Sequence, residues 1–110
     1  MAIRHAEAGE VVDVRPLGSE LGDQRTHTLV KTDSLELIRL VLPQGKEIPK
    51  HSAPGPITVQ CLEGRVAFST MGKEVELQPG NLLHLPAKEP HAVRAMDDSS
   101  VLLTIVLPRS

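Results

Sequence analysis

Apolar positions along this chain fall into short alternating runs broken by glycine and proline, which predicts strands rather than helices. Val11 to Val14 is a brief β-branched run stopped by Pro16 and Gly18, and the charged segment Ser19 to Arg25 reads as a loop. Thr26 to Lys31 sets Thr26, Thr28 and Val30 against His27, Leu29 and Lys31, as in a half-exposed strand. A turn at Asp33-Ser34 folds it back onto Leu35 to Leu42, and Pro43-Gln44-Gly45 ends that hairpin. Pro49 and the run Ala53-Pro54-Gly55-Pro56 exclude a regular helix before Ile57. Ile57, Val59 and Cys61 then alternate with Thr58 and Gln60, giving one apolar and one polar face. Glu63-Gly64 turns the chain into Arg65 to Thr70, with Val66 and Phe68 inward. Gly72-Lys73 leads into Glu74 to Leu77, and Gln78-Pro79-Gly80 into Leu82 to Leu85. His91 to Ala95 and Val101 to Leu107 complete the series.

About nine or ten short strands, with turn signals every ~8–12 residues, predict an all-β sandwich or barrel. At 110 residues the chain can support one core but not two, so residues 1–110 are expected to form a single domain. Its barrel core spans about residues 35–107, with N-terminal strands within 11–31.

Composition narrows the function. A net charge of −2, with no basic tract, gives no electrostatic case for nucleic acid or an anionic membrane. Phe68 is the only aromatic residue, so the platforms used for base or sugar stacking are missing. Cys61 is the only cysteine, which excludes an internal disulfide and reads as a buried, inert thiol. No apolar stretch approaches the ~18 residues of a membrane span. The N-terminal Met-Ala-Ile-Arg-His-Ala-Glu lacks a signal-type apolar region, so a cytoplasmic location is expected. Nucleophile elbows, phosphate-binding glycine loops and Cys-x-x-Cys pairs do not occur.

Candidate chemistry gathers in two segments that begin on a turn glycine and end on a histidine. They are Gly45 to His51 and Gly80 to His91. Together they resemble the paired motifs of the cupin superfamily, small jelly-roll barrels also described as double-stranded β-helices. Gly45, His51 and Gly64 fall on the first motif, which reads Gly, five residues, His-x-His, three or four residues, Glu, six residues, Gly. Gly80, Pro86 and His91 fall on the second, Gly, five residues, Pro-x-Gly, two residues, His, three residues, Asn. The resemblance covers roughly Leu35 to Leu107.

The departures bear on chemistry. Metal-binding cupins use both motif-one histidines, the following carboxylate or amide, and the motif-two histidine. Here Ala53 stands at the second histidine and Ile57 at the glutamate, leaving His51 and His91; Lys88 and Ala95 replace the motif-two Gly and Asn. A catalytic metal site usually needs three protein ligands. A third could come from His84, which alternation places with Leu82 and opposite Leu83 and Leu85; on an apolar strand, either face could be the interior.

Two readings follow. In the first, the barrel binds a small molecule without metal, in a pocket formed by His51, Ile57, Val59 and His91. In the second, the resemblance implies a metal-dependent enzyme of the dioxygenase, decarboxylase or isomerase type, acting on a small organic acid or ketone. His51 and His91, aided by His84, would then hold Fe, Mn, Ni or Zn. Metal-free proton transfer by an imidazole is a third route. The resemblance also implies a homodimer. No nucleic-acid or membrane partner is expected.

Overall fold

The structure, a computed structural model, describes residues 4–108. Residues 1–3 of the N-terminal stretch read for targeting lie outside the described residues. Among the described residues there are nine strands: β1 (His27–Lys31), β2 (Leu35–Leu42), β3 (Glu47–His51), β4 (Ile57–Glu63), β5 (Val66–Thr70), β6 (Lys73–Leu77), β7 (Leu82–Leu85), β8 (His91–Ala95) and β9 (Ser99–Val106). They form two antiparallel sheets, ordered β1-β2-β9-β4-β7 and β3-β8-β5-β6. This is an all-β barrel, as the turn spacing predicts, in the double-stranded β-helix form that the cupin resemblance implies.

Alternation fixes which residues meet between the sheets. On β4, Ile57, Val59 and Cys61 are buried while Thr58 and Gln60 are only partly so. With Leu42, Val66, Phe68, Leu77, Leu85, Val93, Ala95 and Val101 they form one continuous core. Because a strand's side chains repeat every two residues, a slip of one position would turn this whole set outward. Gly64 secures the β4–β5 connection: its φ is +79°, and a Cβ there would overlap the Asp98 carbonyl oxygen and the Ser99 hydroxyl. Both constraints select glycine.

Two local expectations are corrected. Val11 to Val14 forms no strand, and Val11 is 94% exposed. Just beyond it, side chains rather than a sheet ladder take up the backbone polar groups. Arg39 Nη2 donates to the Arg15 carbonyl at 2.6 Å, and the Glu63 carboxylate accepts from the amides of Leu17 and Gly18. The expected loop at 19–25 contains instead a short 3-10 helix, Gly18–Asp23, which buries Leu21. Glu47–His51, to which the sequence pattern assigned no element, is a strand despite Pro49. It lies at the edge of its sheet, and its pairing with β8 shifts register between Ile48 and His51, where a proline costs no ladder bond.

Candidate functional site

The bulged edge strand β3 and the start of β8 bring the two motif histidines together. His51 and His91 are register partners across the pair. The Lys88 amide donates to the Ala53 carbonyl at 2.9 Å, tying the second motif's loop to the segment just past the first motif's histidine. Their rings approach edge-on, with centroids 4.3 Å apart and planes inclined at 63°. Beneath them, the ring of Phe68 stacks on His91 at 5.5 Å and 10°. His91 is buried and His51 exposed, so the pair runs from the interior to the rim.

Both rings are oriented by the chain that carries them. Nδ1 of His51 lies 2.9 Å from the Pro49 carbonyl, and Nδ1 of His91 lies 3.0 Å from that of Glu89. A carbonyl oxygen can only accept, so each Nδ1 carries the proton. In the neutral ring, Nε2 is then left with a free lone pair. Burial pushes His91 below the usual imidazole value. The hydrogen bond to Glu89 opposes this and the neighbouring His51 adds to it.

A cavity of about 270 Å³ opens between the sheets beside this pair. Ile38, Leu40, Val59, Leu103 and Ile105 line it from one sheet, and Ile48, His51, Phe68, His91 and Val93 from the other. The two imidazoles are the only polar side chains in that lining. Of the residues expected to form the pocket, His51, Val59 and His91 line it. Ile57 does not: it is 3% exposed in the core, paired with Leu85 and Ile105. His84 is also corrected. It is exposed on the same face of β7 as Leu82, while Leu83 and Leu85 pack on the core, so the inward side of that strand excludes it from the pair. Phe68 was read as inward from alternation, but its place under His91 depends on β5 pairing with β8, where Phe68 meets Val93 and Thr70 meets His91. Ile38, Leu40, Leu103 and Ile105 were missed as lining residues. Their signal was an even-numbered apolar face on β2 and an odd-numbered one on β9, set against each other only by the register Ile38↔Leu103.

Residues 38–107 match the Cupin domain family. The chain belongs to the cupin family. Quercetin 2,3-dioxygenase from Bacillus subtilis (strain 168) is 35% identical to this cupin over 51 residues, which are 46% of the chain and 15% of that enzyme. The chain thus spans a small part of the length of the curated relative it matches. Among solved structures, a conserved protein of unknown function from Streptococcus pyogenes superposes with a TM-score of 0.76 at 28% identity, covering 100% of this chain and 97% of that one. An RmlC-like cupin from Desulfovibrio desulfuricans gives 0.68 at 26%, covering 93% and 97%.

Within the cupin frame, the substituted motif positions can be judged by what they now do. Lys88 keeps the left-handed backbone of the glycine it replaces, with φ of +67°, so the loop shape survives at some cost in strain. Ala53 is half-buried and packs on the core, and Ile57 belongs to that core. Neither offers a donor atom. Among the described residues, no three His, Cys, Asp or Glu side chains gather closely enough to hold a metal ion. Two imidazoles beside an apolar wall, with no third donor, do not fit the three- or four-ligand centre of metal-dependent cupins. They leave a divalent charge uncompensated in a low-dielectric site.

Proposed function

We propose that this cupin binds a small, largely apolar molecule in the barrel cavity and orients it through His51 and His91. The observation that carries this reading is the cavity itself, whose lining is apolar except for the two histidines. Ligand sites commonly combine apolar walls with a few placed polar groups, and drug-sized ligands occupy roughly 300–1,000 Å³. At about 270 Å³ this one suits a fragment-sized molecule. Association as a homodimer is part of the proposal, checked by light scattering at twice the chain mass.

The metal-dependent alternative draws on the local identity to quercetin 2,3-dioxygenase. In it, His51 and His91 supply two nitrogens, and water or substrate must supply the rest. One experiment separates the two readings. Protein purified without a histidine tag and treated with chelator is expected to bind small apolar compounds, with methyl NMR shifts centred on Val59, Val93, Leu103 and Ile105. Leu103→Trp, which fills the cavity, is expected to abolish those shifts while the circular dichroism of the fold is retained. Binding that disappears with chelator, returns with Fe, Mn, Ni or Zn, and is lost in His51→Ala and His91→Ala would overturn the metal-free reading.

A further inference from the structure

The tautomers of the histidine pair restrict the kind of polar group a ligand can present. This step rests on the proposed binding role of the cavity. Both Nδ1 atoms are committed as donors to the carbonyls of Pro49 and Glu89. Among the described residues neither Nε2 has a protein partner. Among the described residues the only fully buried side-chain nitrogen or oxygen without a partner is Arg39 Nε, so His91 Nε2, which has no partner either, is not sealed off. The remaining eight lining residues are aliphatic or, in Phe68, aromatic. The cavity therefore offers two hydrogen-bond acceptors from its side chains and no donor.

We infer that the pocket selects molecules that bring a hydroxyl donor on an apolar body, that is, compact alcohols and phenols. Ketones, aldehydes, ethers and carboxylates are disfavoured. A carbonyl or ether oxygen placed against Nε2 sets lone pair against lone pair and leaves both groups desolvated and unpaired, the costly half of the hydrogen-bond balance. A carboxylate brings a full negative charge and no donor, setting its lone pairs against those of Nε2 beside an apolar wall. An ammonium has donors, but it carries a full charge into an apolar wall with no counter-charge. A neutral hydroxyl meets both requirements: it donates to the lone pair and leaves no charge to be stabilised. This reverses the preference expected of a metal centre, where a carbonyl or carboxylate oxygen is the natural ligand.

The matched set of 4-ethylphenol, 4-ethylanisole and 4-ethylbenzaldehyde tests this, since the three have similar apolar bodies and only the first donates. In titrations with chelator present, 4-ethylphenol is expected to bind about tenfold more tightly than either of the others, one good hydrogen bond's worth. That preference is expected to fall close to unity in His51→Phe/His91→Phe. Ring 15N spectra of the unmodified protein are expected to show both histidines protonated at Nδ1 and bare at Nε2, a readout that does not depend on the variant folding. Equal binding of the three compounds would overturn the donor preference while leaving the cavity's binding role intact. Failure of all three to bind would sink that role and the inference with it. Rings protonated at Nε2, or a phenol preference that appears only when Zn is added, would also overturn the inference.

Discussion

Glu63→Ala is expected to cost about 3–5 kcal/mol of folding stability, the usual penalty for leaving one member of a buried ion pair alone. Arg39 is 3% exposed, and its Nη2 donates to the Arg15 carbonyl, to Ser100 Oγ at 3.1 Å and to Glu63 at 3.4 Å. Glu63 in turn accepts from the Ser100 hydroxyl and from the Leu17 and Gly18 amides. Removing the carboxylate therefore strands a guanidinium whose Nε already lacks a partner, and it frees two backbone amides that hold the N-terminal segment on the five-stranded sheet. Urea unfolding is expected to show the loss, with a fall in Tm of about 10 °C or more. Hydrogen exchange at the Leu17 and Gly18 amides is expected to speed up while the barrel persists. A stability change below about 1 kcal/mol would mean that the cluster is no stronger than an exposed pair.

The same carboxylate fixes the sign of an acid effect. Burial alone would raise the Glu63 pKa, but the Leu17 amide, the Ser100 hydroxyl, the Gly18 amide and the Arg39 charge together hold it below the usual range. A group whose folded pKa is depressed contributes stability above its unfolded value of 4.5, and loses it as pH falls through the folded value. Glu63→Gln is therefore expected to be less stable than the unmodified protein at pH 7. The gap should narrow below about pH 4 as the native carboxylate takes up its proton. A gap that stays constant between pH 7 and pH 3 would contradict this.

Phe68→Ala is expected to be comparably severe, at about 3–5 kcal/mol for an aromatic side chain deleted from a packed core. Phe68 is 1% exposed, and it lines the cavity as well as supporting the His91 ring. Its loss enlarges the cavity and removes the face on which His91 rests. Phe68→Leu keeps most of the packing but not the stacked ring, so it is expected to fold with a smaller loss of stability. In that variant the ring resonances of His91 are expected to broaden or shift, as measured by NMR against His27, which lies outside the site. An unchanged His91 signal in Phe68→Leu would show that the Glu89 carbonyl alone orients the ring.

Much of the barrel was legible because strand alternation is a local signal. Ile57 to Cys61 and Arg65 to Thr70 carry their own inside and outside, and the glycine turns beside them mark where each ends. Glu47–His51 was not legible as a strand, because Pro49 forbids a central strand and only the sheet order reveals that this one lies at an edge. Val11 to Val14 misled for the opposite reason. Its local β-preference is real, but the nearby backbone is claimed by Arg39 and Glu63, residues 24 and 46 positions from the groups they bind. His84 failed because an apolar strand with equal-looking faces cannot declare which one is buried.

By itself the sequence determined the all-β cupin barrel, through the spacing of its turns and the Gly45–His51 and Gly80–His91 motifs, and it marked Ala53 and Ile57 as breaks in the metal-binding pattern. Only the tertiary structure decided what the two histidines became. The bulged pairing of β3 with β8 set their rings 4.3 Å apart, and the carbonyls of Pro49 and Glu89 fixed their tautomers. The register of β2 with β9 supplied the apolar wall opposite. Those are long-range pairings, whose energies depend on residues that meet only after the chain has closed.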